Sequence, residues 1–251
     1  METISVIQQK GGVGKSTTAQ AIGAYYAAKG QRVLLVDLDS QRNLTLATGK
    51  DGELSSYDVL ISPAEASAAI VTVKDNLDLI PADARLAGID AALSEVKVGK
   101  EYRLREAFAF ISDRYDHIVI DTPPALSLLT INALTVSNRV VVPAQADVFS
   151  LAAIQDLAGT IETVRRYTNP QLVVSGILLT RYNNRPRLTK DITEIMRRMA
   201  ESLGTRVFAA KIREAVAIRE AQALKQDIYS YAPDSKVAND YMAFCAELDE
   251  N

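Results

Sequence analysis

The stretch Lys10-Gly11-Gly12-Val13-Gly14-Lys15-Ser16-Thr17 decides how the rest of the chain is read. It lies between an apolar, β-prone run, Ile4–Gln8, and an alanine-rich helical pattern, Ser16–Lys29, that Gly30 can stop. Gly11, Gly12 and Gly14 allow the backbone to turn its N–H groups inward without Cβ clashes. The helix that follows points its N-terminus, and its positive dipole end, at whatever the loop holds. Lys15 supplies a mobile charge for the outer phosphates of a nucleotide, and the Ser16 hydroxyl suits magnesium. A bare glycine turn would need neither lysine nor serine there. The strict phosphate-loop pattern has a glycine where this chain has Gln9, so the match departs by one residue.

Outward from the loop, strand and helix patterns alternate. Arg32–Asp37, Leu77–Pro81, His117–Asp121, Arg139–Pro143, Leu172–Thr180 and Arg206–Ala210 read as strands. Arg103–Ser112, Leu151–Tyr167, Leu188–Leu203 and Lys236–Leu248 read as helices. Several strands are continuous apolar runs, as expected when both faces of a sheet are covered. The expected fold class is therefore α/β: a mostly parallel, twisted sheet with helices on both faces. Right-handed crossovers would leave ligands at the carboxyl ends of the strands. Without linker, repeat or low-complexity tract, residues 1–251 read as a single domain. Residues 49–76 give no clear pattern.

Composition narrows the class further. Apolar residues make up 48% and charged residues 24%, ordinary for a globular protein. No apolar run approaches the ~20 residues of a membrane span, and Met1-Glu2-Thr3-Ile4 lacks a signal peptide's basic start. One cysteine, Cys245, excludes an internal disulfide and a multi-cysteine metal site built by one chain. It reads as a small buried hydrophobe, and the single histidine, His117, as structural. A reducing, cytoplasmic setting is expected. Net charge is −3, yet it is unevenly placed. Residues 150–225 hold 13 Lys+Arg against 7 Asp+Glu, the residues before them 14 against 18, and the last 26 residues 1 against 6. One contiguous third is basic within an acidic chain.

Lys10, ahead of Gly11-Gly12, is a residue the generic loop does not require. With it the loop resembles that of the deviant Walker A family of P-loop ATPases, which includes ParA and Soj partition ATPases, MinD and the nitrogenase iron protein. The resemblance implies that Lys10 reaches across a dimer interface to the partner's nucleotide and stabilises charge during phosphoryl transfer. Two chains would then enclose two ATP molecules with Mg²⁺. It covers nearly the whole chain. Val36-Asp37-Leu38-Asp39-Ser40-Gln41-Arg42-Asn43 is similar to the family's second motif, in which Asp39 would orient the attacking water near the metal. Ser40 and Arg42 stand where the family has proline and glycine, which leaves the loop's geometry open. Ile118-Val119-Ile120-Asp121-Thr122-Pro123-Pro124 resembles Walker B, with Asp121 holding magnesium. Alone, either carboxylate would read as a helix cap. Leu178-Leu179-Thr180-Arg181-Tyr182-Asn183 implies Asn183 as an adenine contact, with backbone at Ile212 and Arg213 completing the pocket.

The acidic end, Glu247-Leu248-Asp249-Glu250-Asn251, differs from the basic membrane helix of MinD-like proteins, and the cysteine count is too low for an iron–sulfur member. The segment from Arg213 to Lys236 resembles ParA and Soj proteins. The expectation is a nucleoid-associated partition ATPase whose ATP dimer binds DNA without reading sequence and is released by hydrolysis stimulated by a ParB-like partner. Arg185, Arg187, Lys211, Arg213 and Arg219 are the candidate phosphate contacts. Too few residues precede the loop for a helix-turn-helix, so operator binding is not expected. A positioning ATPase with cargo other than DNA, or an ATP-gated adaptor that barely hydrolyses, are the alternatives.

Overall fold

A computed structural model describes residues 1–183 and 187–250. Eight strands form one sheet: β1 (Glu2–Val6), β2 (Val33–Asp37), β3 (Val71–Lys74), β4 (Leu77–Ile80), β5 (His117–Asp121), β6 (Arg139–Ala144), β7 (Val173–Leu179) and β8 (Val207–Lys211). Their order is β3-β4-β2-β5-β1-β6-β7-β8. All neighbours run parallel except β3, which pairs antiparallel with β4. The described helices are α1 (Lys15–Ala28), α2 (Asn43–Thr48), α3 (Ser56–Ile61), α4 (Ile89–Ala92), α5 (Arg103–Ala109), α6 (Leu128–Val136), α7 (Val148–Tyr167), α8 (Arg187–Ser202), α9 (Val216–Ala223), α10 (Ile228–Tyr231) and α11 (Lys236–Asp249), with three short 3₁₀ turns.

The α/β expectation holds, and side-chain alternation along the strands shows why. Ile4, Val33, Leu35 and Val119 pack on one face with Ala19, Ile22 and Tyr26 of α1 and with Tyr241, Phe244 and Leu248 of α11. Leu34, Val36, Ile118 and Ile120 point to the other face, against α3 and α5. Further along that sheet Val140, Val142 and Ile177 meet α7 and α8. Each such side chain buried from water contributes roughly 1.5–3 kcal/mol. The continuous apolar runs follow from this two-sided burial. Gly23 allows α1 its close approach: a Cβ there would meet Leu35 Cδ2 at 2.6 Å.

Element ends moved where caps decide them. Helix α7 begins at Val148 rather than Leu151, because Asp147 Oδ1 accepts the Ser150 N–H at 2.8 Å. Strand β3, in the stretch with no clear sequence pattern, is short and half-buried. It exists because a hairpin turn, with Asn76 at φ 59°, folds it onto β4. The outer edge of β8 is guarded by α11, where Glu247 accepts the N–H groups of Ala209 and Ala210 at 3.0 Å each. Cys245 is fully buried, and burial pushes its thiol up to about 12. His117 stacks on Tyr26 with ring centroids 4.0 Å apart, a structural place as expected. Among the described residues no helix is long and apolar enough to cross a membrane.

Candidate nucleotide site

The register of three adjacent strands assembles the site. Val6 at the end of β1 lies beside Asp121 at the end of β5, which lies beside Asp37 at the end of β2. The loop that leaves β1 therefore opens over two strand-end carboxylates. Gly12 and Gly14 take φ of 73° and 88°, conformations that favour glycine, and Gly14 forms the N-cap of α1. No side chain caps that helix, so its first N–H groups remain available to an anion. Gly11, Gly12, Gly14, Lys15, Ser16 and Thr17 line a cleft of about 570 Å³ together with Asp39, Gln41, Asn43, Arg181 and Gln222. Val13 of the same loop has a buried side chain and lines the adjoining cleft with Gly14 and Thr17, and its carbonyl accepts the Thr180 hydroxyl at 2.8 Å.

Charge in this cleft is concentrated and poorly solvated. Lys15 is only 7% exposed. Burial lowers its affinity for a proton, and Asp121 and Asp39 pull the other way. Asp121 is fully buried, and burial, reinforced by neighbouring Asp37, raises its carboxyl well above the ordinary value. The Ser16 hydroxyl and Lys15 favour its ionised form, although neither Asp121 oxygen meets a hydrogen bond of regular geometry. Two orphaned carboxylate oxygens in a dry site beside a serine hydroxyl fit a hard cation. Among the described residues no three His, Cys, Asp or Glu side chains could enclose a metal. An open site completed by phosphate and water is what magnesium favours.

The second motif is a wired turn. Asp37 Oδ2 accepts the Thr45 N–H at 2.8 Å and the Thr45 hydroxyl at 2.7 Å, while Oδ1 accepts the Asp39 N–H. Burial still pushes Asp37 up to about 6. Asp39 Oδ1 accepts the Gln41 N–H at 2.9 Å, and its other oxygen takes no hydrogen bond from the described residues. Asp39 can thus present that oxygen to water in the cleft. The unusual Arg42 keeps the turn by adopting φ 60°, as a glycine would, with its N–H on the Asp39 carbonyl at 2.8 Å. Its guanidinium pairs with Asp51.

Lys10 does not line this cleft. Its ammonium binds Asp147 and, at 3.2 Å, Gln145 Oε1. Burial opposes ionisation of Asp147, but Lys10 and the Ser150 N–H more than offset it and hold the carboxyl below its usual value. These two partners went unnoticed in the sequence, because a residue some 130 positions away leaves no local signal.

The expected adenine residues divide between two smaller clefts. Ile212 and Arg213 line one of about 180 Å³ with Gly14 and Thr17, and Asn183 lines another of about 330 Å³ with Gln145 and Asp147. Arg181 and Glu214 border both. Of the expected DNA contacts, Arg185 and the side chain of Arg187 lie outside the described residues. Lys211 sits over the Tyr182 ring at 4.3 Å, Arg213 is bound at both ends to Asp240 at 2.6 and 2.7 Å, and Arg219 is exposed on α9. Arg197, Arg198 and Arg206 also have carboxylate partners, so the basic third is less charged in space than along the chain.

Comparison with known proteins agrees with this geometry. Residues 1–174 match the family model described as "AAA domain". The chain is 37% identical to the sporulation initiation inhibitor protein Soj of Bacillus subtilis, covering 99% of this chain and 98% of that one. It is 35% identical to the chromosome partitioning protein ParA of Caulobacter vibrioides, covering 99% and 94%. A crystal structure of a cobyrinic acid a,c-diamide synthase from Mycobacterium smegmatis with bound ADP and magnesium is 34% identical, with a TM-score of 0.83 over 98% of this chain and 92% of that one. The strand-end carboxylates, the phosphate loop and near-complete coverage by these relatives lead to one conclusion: the chain belongs to the ParA/Soj family of P-loop ATPases.

Proposed function

We propose that this chain is a DNA-partition ATPase: ATP with Mg²⁺ occupies the cleft, joins two chains, and the dimer binds DNA without sequence preference until hydrolysis, stimulated by a ParB-like partner, releases it. In this reading Lys15 neutralises the phosphates, Ser16 and Asp121 hold magnesium, and Asp39 orients water. The metal supplies charge neutralisation at the phosphate oxygens.

The observation that carries the proposal is Lys10. It lies outside its own chain's phosphate cleft, tethered to a half-exposed Asp147. Such a pair is worth about 0–1 kcal/mol, so the ammonium can leave it for a more negative partner on a second chain. Exposed Val148 and Phe149, next to that tether, and exposed Leu126 supply apolar area for such a contact. Support for the cargo comes from Lys211 and Lys236, which share a groove of about 430 Å³ with the Arg213–Asp240 pair.

The test is retention of nonspecific DNA by the full chain with ATP, with ADP, and by Asp39→Ala with ATP. Retention should need ATP and persist in Asp39→Ala; equal retention with ATP and ADP would remove the switch. Lys10→Ala should bind nucleotide as a folded monomer and fail to dimerise. If that variant dimerised normally, the trans role would be lost. Liposome pelleting beside the DNA assay separates a membrane-positioning ATPase, and phosphate release separates a non-hydrolysing adaptor.

A further inference from the structure

Arg181 stands at the junction of three clefts: the phosphate cleft, the cleft beside Ile212 and the one beside Asn183. Its backbone is held in a left-handed conformation, φ 46°. For a residue other than glycine or asparagine that costs about 1–2 kcal/mol. Both neighbours enforce it. The Thr180 N–H donates to the Ala144 carbonyl and its hydroxyl to the Val13 carbonyl, each at 2.8 Å, and the Tyr182 N–H donates to the Ile212 carbonyl at 2.9 Å. The Val13 bond ties Thr180, the residue before Arg181, to the phosphate loop.

Nothing local recompenses an arginine for this position. Its side chain is exposed and has no hydrogen bond, ion pair or ring contact with the described residues. Four neighbouring cations have partners, Lys10 on Asp147, Arg42 on Asp51, Lys211 on Tyr182 and Arg213 on Asp240, whereas Arg219 of the Ile212 cleft, like Arg181, has none among the described residues. Glu214 borders two of the same clefts without pairing to Arg181. A fixed origin, an unsatisfied planar fork and a cleft built for phosphate together define a ligand group.

We propose that Arg181 is a nucleotide-binding residue, its guanidinium bonding the polyphosphate of ATP or ADP where the phosphate cleft opens toward Ile212. This rests on the nucleotide reading above and adds a second cation to Lys15 in the same cleft. The turn explains why the contact is rigid, and the missing local partner why it is free to be made.

The test uses the full chain as wild type, Arg181→Gly, Arg181→Lys and Lys15→Ala. Affinities are measured calorimetrically for Mg·ADP, inorganic tripolyphosphate and adenosine, beside thermal midpoints without ligand. Arg181→Gly relieves the backbone strain, so its ligand-free midpoint should equal or exceed wild type. Its affinity for Mg·ADP and for tripolyphosphate should fall roughly ten- to a hundredfold, the range for a charge-assisted hydrogen bond, with adenosine unchanged. Arg181→Lys should recover part of the loss. Mg·ADP affinity within about twofold of wild type, well below one such bond, would overturn the proposal. So would a lowered ligand-free midpoint, which makes the residue structural, or an equal loss for adenosine, which removes the phosphate assignment. If wild type itself bound neither ADP nor tripolyphosphate, the nucleotide reading would fall first. If wild type bound, Lys15→Ala did not, and Arg181→Gly bound normally, only the Arg181 inference would fall.

Discussion

Arg42 holds a left-handed backbone, φ 60°, that glycine adopts without steric cost. The left-handed backbone costs about 1–2 kcal/mol for a side chain with a Cβ, and the buried Nε has no hydrogen-bond partner. Against this stands one ion pair to a largely exposed Asp51, worth about 0–1 kcal/mol. Arg42→Gly should therefore raise the unfolding free energy by up to about 1 kcal/mol in urea titrations. A clear loss of stability would mean that the Asp51 pair outweighs the strain. Lys10 poses the opposite case, a favourable contact that the proposed ATP dimer would have to break. Asp147→Asn weakens that tether without changing shape, so it should favour the ATP dimer in light scattering. A dimer fraction lower than wild type at equal ATP would make Asp147 part of the interface rather than a restraint.

Among the elements, α1 does two jobs: its N-terminus lines the loop's cleft and its body packs on the sheet. Gly23 sets that packing. Gly23→Ala places a methyl 2.6 Å from Leu35 Cδ2 and 3.3 Å from Leu77 Cδ1. Overpacking of this kind costs typically 1–3 kcal/mol, and because α1 carries the loop, nucleotide affinity should fall with it. A stable Gly23→Ala chain with unchanged affinity would show that the helix can shift without moving its N-terminus. Short α10 depends on its cap. Asp227 accepts the Tyr229 and Ser230 N–H groups and pairs with Lys74 of β3, 2.6 Å away. Burial opposes its ionisation, but these partners more than offset it and lower its pKa. A depressed carboxyl adds stability above its unfolded value near 4, and that stability is lost as pH falls through its native value. Asp227→Ala should thus cost about 1–3 kcal/mol near neutral pH, and the gap from wild type should close on acidification below pH 4. A gap unchanged by acid would place the effect in packing rather than charge.

For the whole molecule, three apolar clusters share one sheet, and α1 and α11 join its two ends over one face. We propose that residues 1–251 unfold as a unit. Calorimetric and van't Hoff enthalpies should then agree, and Mg·ATP should raise the single midpoint. Two transitions, only one of which moved with nucleotide, would divide the chain.

What could be read along the chain was what is local in it. The strands were legible because burial on both faces demands continuous apolar runs, as in Ile118-Val119-Ile120. The phosphate loop was legible because glycines, lysine and serine must stand at fixed intervals to make it. Arg42 was visible as a departure, yet its left-handed turn was not, since nothing in the residue's identity states its φ. Strand β3 was missed because its partner, not its composition, makes it a strand. The attachment of Lys10 to Asp147, the pairing of Arg213 with Asp240 and the convergence of three clefts on Arg181 were decided only in the folded molecule. Each joins residues far apart in sequence or depends on which neighbour a charged side chain meets first, and only the strand order brings those neighbours together.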